Sequence, residues 1–243
     1  MTSDRFTVRR DGAITRLTLC RGDDGNTLAP PDMRALGAAI SAAGSAADCK
    51  LVVVSGEGAD FCLGRRIVAG VTRPAQARAF RERVADAILG VYEDLRRCPV
   101  PVLTAVQGQA KGFGCAFAAQ SDITIADPDA RFSLPEMDTN LPPTLAISAC
   151  LPKMPAKAIL HMVLTRQTVS AETAFAHGLI SEIAPKNALA TAVEAYAGKL
   201  IDRDRDALIA IKEYMRLAPN MDLAGQARYG ANLIATEMTS QEA

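Results

Sequence analysis

The stretch "PVPVLTAVQGQAKGFGCAFAAQSDITIA", residues 99–126, places a glycine-rich bend between two apolar runs. The first run, 99–106, is continuously apolar, which is typical of a strand buried on both faces. "DITIAD", at 122–127, predicts another strand, and "CAFAAQS" before it predicts a short packed helix. A strand, a Gly-x-Gly bend and a helix start direct free backbone N–H groups at one point, which suits a small developing anion.

Two phosphate-binding motifs do not match the sequence of this bend. The dinucleotide fingerprint GxGxxG, begun at Gly112, needs a third glycine where Phe117 stands. The P-loop ending Gly-Lys-Ser/Thr does not occur in the chain. A bend of similar build lies upstream, where "LVVVSG" (51–56) leads into "DFCLGRR" (60–66). Donors converging from the two bends would make an oxyanion hole, and the alternative is two ordinary strand-to-helix turns.

Strands alternate with helices through the first two thirds of the chain, and helices follow. The patterns predict strands at 12–20 and 51–56, a helix over 78–97 and an extended piece at 132–136. Beyond Pro143, helical patterns cover 155–165, 171–178, 188–203, 206–217 and 222–238. This order predicts an α/β core with a helical C-terminal part.

Composition excludes several classes of protein. Lys plus Arg and Asp plus Glu both number 27 in 243 residues, so no long basic surface for nucleic acid is expected. The apolar runs are shorter than a membrane span, and the polar start "MTSDRFTVRRDG" does not resemble a secretion signal. The six cysteines form no CxxC pair, which predicts reduced thiols of a cytoplasmic protein and no metal site.

Five segments in order resemble the crotonase superfamily, also called the enoyl-CoA hydratase/isomerase family. They are "GNTLAPPDM" (25–33), "GADFCLGRRI" (58–67), the opening stretch 99–126, "ARFSLPEMDTNLPP" (130–143) and "VLTRQTVSAETAFAHGLISEIAP" (163–185). The resemblance implies a crotonase-like spiral of ββα turns with a C-terminal helical trimerisation region. We therefore expect an acyl-CoA-binding core over 1–200 and a short helical region over 201–243.

The resemblance also implies the ligand and the assembly. An acyl-CoA of fatty acid metabolism is the expected substrate, with no cofactor beyond the coenzyme A that the substrate carries. A homotrimer or a dimer of trimers is the expected assembly. The backbone N–H groups of Arg65 and Phe113 would form the oxyanion hole, and the expected substrate-binding residues are Gly64, Arg66, Ile67, Gly112 and Gly114. The guanidinium groups of Arg65 and Arg66 are suited to the phosphates of coenzyme A.

The number of catalytic carboxylates distinguishes between the possible reactions. The two glutamates of the family's hydratases fall here on Ala116 and Glu136, so one carboxylate is kept and one is missing. Hydration normally needs two groups, whereas a double-bond shift needs one base that moves a proton from C2 to C4. The resemblance thus favours an enoyl-CoA isomerase that uses Glu136.

Other readings stay open at this stage. Lys111 and Asp138 are further candidates for a catalytic group, which would suit an enoyl-CoA hydratase (a lyase), or a decarboxylase or hydrolase of a CoA thioester. Ala116 and Phe113 also fit a protein of another class, a non-catalytic scaffold that binds coenzyme A.

Overall fold

The computed structural model describes residues 4–66 and 77–240 of the chain. Nine strands lie in this part of the chain: β1 Phe6–Asp11, β2 Ile14–Leu19, β3 Leu51–Gly56, β4 Val102–Val106, β5 Gln109–Lys111, β6 Ile123–Ala126, β7 Arg131–Ser133, β8 Val169–Ser170 and β9 Glu182–Ile183. The α-helices in the same ranges are α1 Pro30–Ser45, α2 Ala77–Phe80, α3 Asp86–Arg97, α4 Phe113–Gln120, α5 Thr144–Cys150, α6 Ala156–Thr165, α7 Ala171–Ala176, α8 Leu189–Ile201, α9 Arg205–Leu217 and α10 Leu223–Ser240.

The strands form a large sheet and a small one. The large sheet has the order β1-β2-β3-β4-β6-β9, with β1 antiparallel to β2 and the other neighbours parallel. The small sheet has the order β5-β7-β8, in which β5 and β7 run parallel. The two sheets follow one another twice along the chain, since β4 leads to β5 and β6 leads to β7.

Both faces of the large sheet are buried, as the apolar runs predict. Along β3, Val52 and Val54 belong to one apolar cluster, and Leu51 and Val53 belong to another. This alternation follows from the period of two in a strand. The first cluster includes apolar residues of α1, α3 and α4, and the second includes residues of α8. The large sheet therefore lies between two layers of helices.

The parallel strands bring the two predicted bends together. β3 and β4 are neighbours in the sheet and run in the same direction. Their carboxyl ends therefore meet at one edge, where the segments after them begin. The amide of Phe61 donates to the carbonyl of Gln107 (2.9 Å), and that of Lys111 donates to Cys62 (2.9 Å). These bonds hold the 57–66 loop against the glycine bend.

Most of the sequence-based elements are confirmed, with three corrections. The helix predicted over 78–97 is a run from Ala77 to Arg97 that contains one π-helical segment, Arg81–Ala85. The extended piece predicted at 132–136 is half wrong, since β7 ends at Ser133 and a 3-10 turn, Pro135–Thr139, follows. β1, β5 and the two-residue strands β8 and β9 were not predicted.

A buried lysine fixes α9 to the core. The Nζ atom of Lys212 donates to the carbonyls of Leu95 (3.0 Å) and Val100 (3.1 Å). It also pairs with Asp122 at 2.7 Å, and the lysine side chain is only 8% exposed. Both α9 and α10 lie in the predicted C-terminal region, so this contact ties that region to the end of α3.

The cysteines are free thiols, and five of the six are buried. Burial raises the pKa of the Cys62 thiol to about 12 and that of Cys98 to about 11. No helix within 4–66 or 77–240 is both long and apolar enough to cross a membrane.

Candidate active site

The glycine bend ends at the first residue of α4. Gly112 has φ of +50° and ψ of −113°, a conformation that a residue with a side chain rarely adopts. Its own amide donates to the carbonyl of Ser133 (2.9 Å). The next amide, of Phe113, begins the helix and has no helical acceptor. In the described ranges it has no other partner, so its N–H is available to a ligand.

The upstream bend presents a similar amide. Arg65 and Leu28 form a parallel β-bridge. In this bridge the amide of Leu28 donates to the carbonyl of Gly64 (3.1 Å), and the amide of Arg66 donates to the carbonyl of Leu28 (2.8 Å). The N–H of Arg65 therefore points to the opposite side, where the described residues supply no acceptor. Gly64 has φ of +101°, and a Cβ placed on it would lie 3.7 Å from the amide nitrogen of Phe113. The upstream bend therefore lies directly against the glycine bend at the start of α4.

Glu136 lies over the glycine bend. It belongs to the 3-10 turn Pro135–Thr139, and its Oε1 atom is 2.8 Å from the position that a Cβ on Gly112 would take. Its Oε2 atom is enclosed and has no hydrogen-bond partner. Burial raises the pKa of the Glu136 carboxyl, and the residue's own backbone amide and the Arg65 cation oppose that rise. A carboxyl with a raised pKa beside two free amides can exchange a proton with a bound carbon acid.

The position of the missing carboxylate is filled by apolar packing. Ala116 is completely buried within α4. Its neighbour Cys115 contacts the thiol of Cys150, and this contact, together with burial, raises the pKa of the Cys115 thiol. The described residues place no second carboxylate at this position.

The two further candidates for a catalytic group, Asp138 and Lys111, differ in their surroundings. Asp138 is exposed, and its Oδ1 atom is 3.4 Å from Nη1 of Arg166. That ion pair argues against Asp138 as a substitute for the missing carboxylate. Lys111 is half-buried at the end of β5, directly before Gly112. Two predicted substrate-binding residues remain. Gly114 is buried in α4, and Ile67 lies outside the described residues.

Arginines surround a cleft beside the two bends. The cleft has a volume of about 320 Å³ and is lined by Pro30, Pro31, Arg34, Arg65, Arg66, Glu82 and Arg83. Nη2 of Arg34 donates to the backbone carbonyl of Glu82 at 2.9 Å, which fixes its position. Arg66 forms an ion pair with Asp32 at 3.4 Å. Four cations at one opening suit a polyanionic ligand.

Sequence reasoning missed three residues of this region. Arg34 and Arg83 lie on helices, and nothing in their sequence neighbourhood separates them from other surface arginines. Tyr92 of α3 is buried, and its ring stacks on that of Phe113 at 6.0 Å between centroids and 15° between planes. The helical spacing of α3 could have indicated Tyr92 as a core residue, but not its contact with the bend.

Comparisons with known proteins agree with this geometry. A match to the family described as enoyl-CoA hydratase/isomerase covers residues 9–243. The chain is 28% identical over 201 residues to the mouse protein "Enoyl-CoA hydratase domain-containing protein 3, mitochondrial", covering 82% of this chain and 65% of that protein. The chain thus spans about two thirds of that relative. It is 25% identical to a Mycobacterium bovis protein described as "Probable enoyl-CoA hydratase", across 100% of this chain and 93% of that protein.

A solved structure extends the similarity to three dimensions. The crystal structure of an enoyl-CoA hydratase from Mycobacterium smegmatis superposes with a TM-score of 0.91 at 26% identity. The superposition covers 97% of this chain and 91% of that chain. The crotonase-like fold expected from the sequence is therefore confirmed.

Proposed function

The chain belongs to the enoyl-CoA hydratase/isomerase family, and from this premise we propose that it binds acyl-CoA thioesters and stabilises their enolates. The amides of Arg65 and Phe113 would hold the thioester oxygen, and the Glu136 carboxylate would move the proton. The observation that carries this proposal is the close approach of Gly64 to the Phe113 amide, together with an enclosed carboxyl of Glu136 over Gly112. Donors fixed in advance stabilise an oxyanion without reorganisation.

The proposed reaction is a shift of a double bond. The Glu136 carboxylate takes a proton from C2 of a 3-enoyl thioester, and the electron pair moves onto the thioester oxygen. The resulting dienolate oxygen accepts hydrogen bonds from the two amides. The carboxylic acid then returns the proton to C4, and the double bond lies between C2 and C3. The raised pKa of Glu136 suits this double role, because an acid–base group works best when its pKa is near the working pH.

Ala116 supports isomerisation over hydration. Addition of water needs one group to activate the water and another to protonate C2, and of the described carboxylates only that of Glu136 lies over Gly112. The descriptions of the mouse and mycobacterial relatives favour hydration, which is the second candidate function. For this chain, hydration would need a group other than a second glutamate.

The arginine cleft is the proposed site for the nucleotide part of coenzyme A. It adjoins Arg65, whose amide is a proposed oxyanion donor, so one ligand could reach both places. Guanidinium groups bind phosphate through paired hydrogen bonds. Arg34 and Arg83 join Arg65 and Arg66 in this role.

A homotrimer, or a dimer of trimers, is the proposed assembly. Exposed large apolar residues on α9 and α10 support burial against other copies: Ile211, Met215, Leu223, Ile234 and Met238. Isolated apolar side chains are common on protein surfaces, but five on two adjoining helices favour an interface. Sedimentation of the purified protein would separate a monomer from a trimer or hexamer.

The proposed function is tested by following 3-hexenoyl-CoA and crotonyl-CoA in separate reactions. An isomerase converts 3-hexenoyl-CoA to 2-hexenoyl-CoA and adds water to crotonyl-CoA far more slowly. Faster addition of water to crotonyl-CoA would assign the hydratase activity instead. Binding of both thioesters without conversion, and without exchange of the C2 hydrogens in heavy water, would contradict an enzymatic role and favour a scaffold.

A further inference from the structure

The carboxylate of Asp60 joins the 57–66 loop to the glycine bend. Its Oδ1 atom accepts a hydrogen bond from the backbone amide of Gln109 at 2.8 Å. Asp60 precedes Arg65 in the loop, and Gln109 is the first residue of β5, which leads to Phe113. This carboxylate therefore connects the two segments whose amides are the proposed oxyanion donors.

The glycine bend and the loop are in direct contact beside this hydrogen bond. A Cβ placed on Gly108 would overlap the carbonyl oxygen of Ala59 and would lie 2.7 Å from Oδ1 of Asp60. Gly108 also has φ of +55°, a conformation that favours glycine. The backbone of the bend is thus packed against the Asp60 carboxylate, so the position of that acceptor affects where the bend lies relative to the loop.

Asn26 holds Asp60 in place from the other side. Asn26 is only 1% exposed, and its Nδ2 atom donates to the carbonyls of Glu57 (2.8 Å) and Asp60 (2.9 Å). Its Oδ1 atom accepts from the amide of Arg21 at 2.9 Å, so both ends of the carboxamide are fixed. Because breaking buried hydrogen bonds is costly, the backbone of Asp60 cannot shift easily. Its carboxylate is therefore presented to Gln109 from a rigid support.

The contact depends on the shape of the Asp60 side chain more than on its charge. Within 4–66 and 77–240, Asp60 forms no ion pair, and its acceptor oxygen faces a neutral backbone amide. A carboxamide oxygen can accept the same hydrogen bond, since it has the same geometry without the charge. A longer side chain cannot place its acceptor at the same point. These two properties separate a positioning role from an electrostatic one.

We propose that Asp60 is a positioning residue that sets the separation of the Arg65 and Phe113 amides. This inference rests on the proposed function, because it concerns the oxyanion hole of that function. Such donors stabilise an oxyanion only when they lie within hydrogen-bond reach of the developing charge. A displacement of about 1 Å in an active site can cost about 10²-fold in rate. Asp60 acts through Gln109 and the bend, without touching the substrate.

Two conservative substitutions test shape and charge separately. Asp60→Asn removes the charge and keeps an acceptor oxygen at the same reach. Asp60→Glu keeps the charge and moves the acceptor by one methylene group. Asp60→Ala replaces Asp60→Glu, with the same expectations, if thermal melting shows that the glutamate variant is not folded. Asp127→Ala is the matched control, because Oδ1 of Asp127 also accepts a backbone amide, that of Asp129 at 2.9 Å, but within a single turn after β6.

The first readout is exchange of the C2 hydrogens of butyryl-CoA in heavy water, measured against substrate concentration to give kcat and KM. We expect Asp60→Glu to lower kcat about tenfold to 100-fold and to keep KM within about threefold, because the oxyanion hole acts on the enolate more than on the bound thioester. Asp60→Asn and Asp127→Ala should keep kcat within about threefold.

Three results of this assay would overturn the inference. An unchanged kcat in Asp60→Glu, or a change in KM alone, would show that Asp60 does not position the donors. An equal loss in Asp60→Asn would assign the effect to charge. An equal loss in Asp127→Ala would assign it to general weakening of the turns that follow the strands.

A second readout reports on the donors without turnover. The infrared carbonyl band of butyryl-CoA, isotope-labelled at the thioester carbonyl, should move to lower frequency on binding to the parent, because hydrogen bonds polarise the carbonyl. Asp60→Glu should lose at least half of this shift, and Asp60→Asn should keep it. A full shift in Asp60→Glu would overturn the inference and leave the proposed function intact. Absence of both the shift and the exchange in the parent would refute the proposed function itself.

Discussion

Replacing Glu136 with glutamine should remove proton transfer while preserving the shape of the site. The amide is nearly isosteric with the carboxyl, so the position over Gly112 and the two free amides should stay in place. General acid–base groups contribute about 10²- to 10⁴-fold in rate. Because Ala116 leaves no second carboxylate to compensate, we expect the upper half of this range, a loss of about 10³- to 10⁴-fold in kcat. That loss corresponds to about 4–5 kcal/mol in the activation barrier.

The assay is exchange of the C2 hydrogens of butyryl-CoA in heavy water, followed by mass spectrometry. This exchange reports enolate formation alone and does not depend on which product the enzyme makes. Coenzyme A affinity, measured by calorimetry, should change by less than threefold in Glu136→Gln. Asp138→Asn is the matched control, because it also converts an acid to an amide, two residues away in an exposed ion pair. Exchange in Glu136→Gln within threefold of the parent, or an equal loss in Asp138→Asn, would refute the role of Glu136.

Glu136→Gln should stabilise the folded chain, although it should lower the activity. Burial raises the pKa of Glu136 in the folded chain, so the folded state binds the proton more tightly than the unfolded state. The stabilisation from that proton is complete below the unfolded pKa and is lost as the pH rises through the folded value. At pH 7, Glu136→Gln should therefore raise the melting temperature by about 2–4 °C, and the gain should shrink as the pH falls through the raised pKa of Glu136 toward its ordinary value of 4.5. An equal or lower melting temperature at pH 7 would contradict the burial cost.

Three further substitutions test the bend, the cleft and the C-terminal anchor. Gly112→Ala should destabilise the fold by about 1–2 kcal/mol and reduce turnover, because φ is positive and a Cβ would press on the Glu136 carboxyl. Gly90→Ala is the control, because there is open space around Gly90, and it should be neutral or stabilising in the same thermal and kinetic measurements. Arg83→Ala should weaken coenzyme A binding about threefold to tenfold by calorimetry, more so at low salt, whereas Arg78→Ala, outside the cleft lining, should not. Lys212→Met should lower the free energy of unfolding by about 3–5 kcal/mol in urea titration, since it removes the cation that pairs with Asp122 and the donor to two backbone carbonyls. A change below about 1 kcal/mol would contradict the anchoring role.

The parts of the fold with clear apolar periodicity were predictable, and those without it were not. β3 and β4 are buried on both faces and read as continuous apolar runs. β1 is an edge strand in which five of six residues are exposed, so it lacks the alternation that marks a strand. β5 is only three residues long and is defined by its pairing with β7, which sequence spacing does not reveal.

The candidate site was predictable only where local sequence carries the geometry. The glycines of the two bends indicate turns by themselves, and the structure brings Gly64 of one bend close to the Phe113 amide of the other. Glu136 has no local signature of burial, because its segment "LPEMDTNLPP" reads as a polar loop; only the resemblance singled it out. Tyr92 and Arg34 contact the site through packing of distant segments, and no pattern along the chain encodes such contacts.

The distribution of unfavourable features argues for an enzyme over a passive binding protein. A scaffold that only holds coenzyme A needs the arginine cleft and the amides, but it gains nothing from an enclosed carboxyl oxygen without a partner. Glu136 carries that cost, because its Oε2 atom is enclosed and has no hydrogen-bond partner among the described residues. Such costs are typical of sites that a substrate completes, since a chain selected for stability alone would pair or remove these groups. Ala116 therefore bears on which reaction occurs, whereas the burial of Glu136 bears on whether one occurs at all.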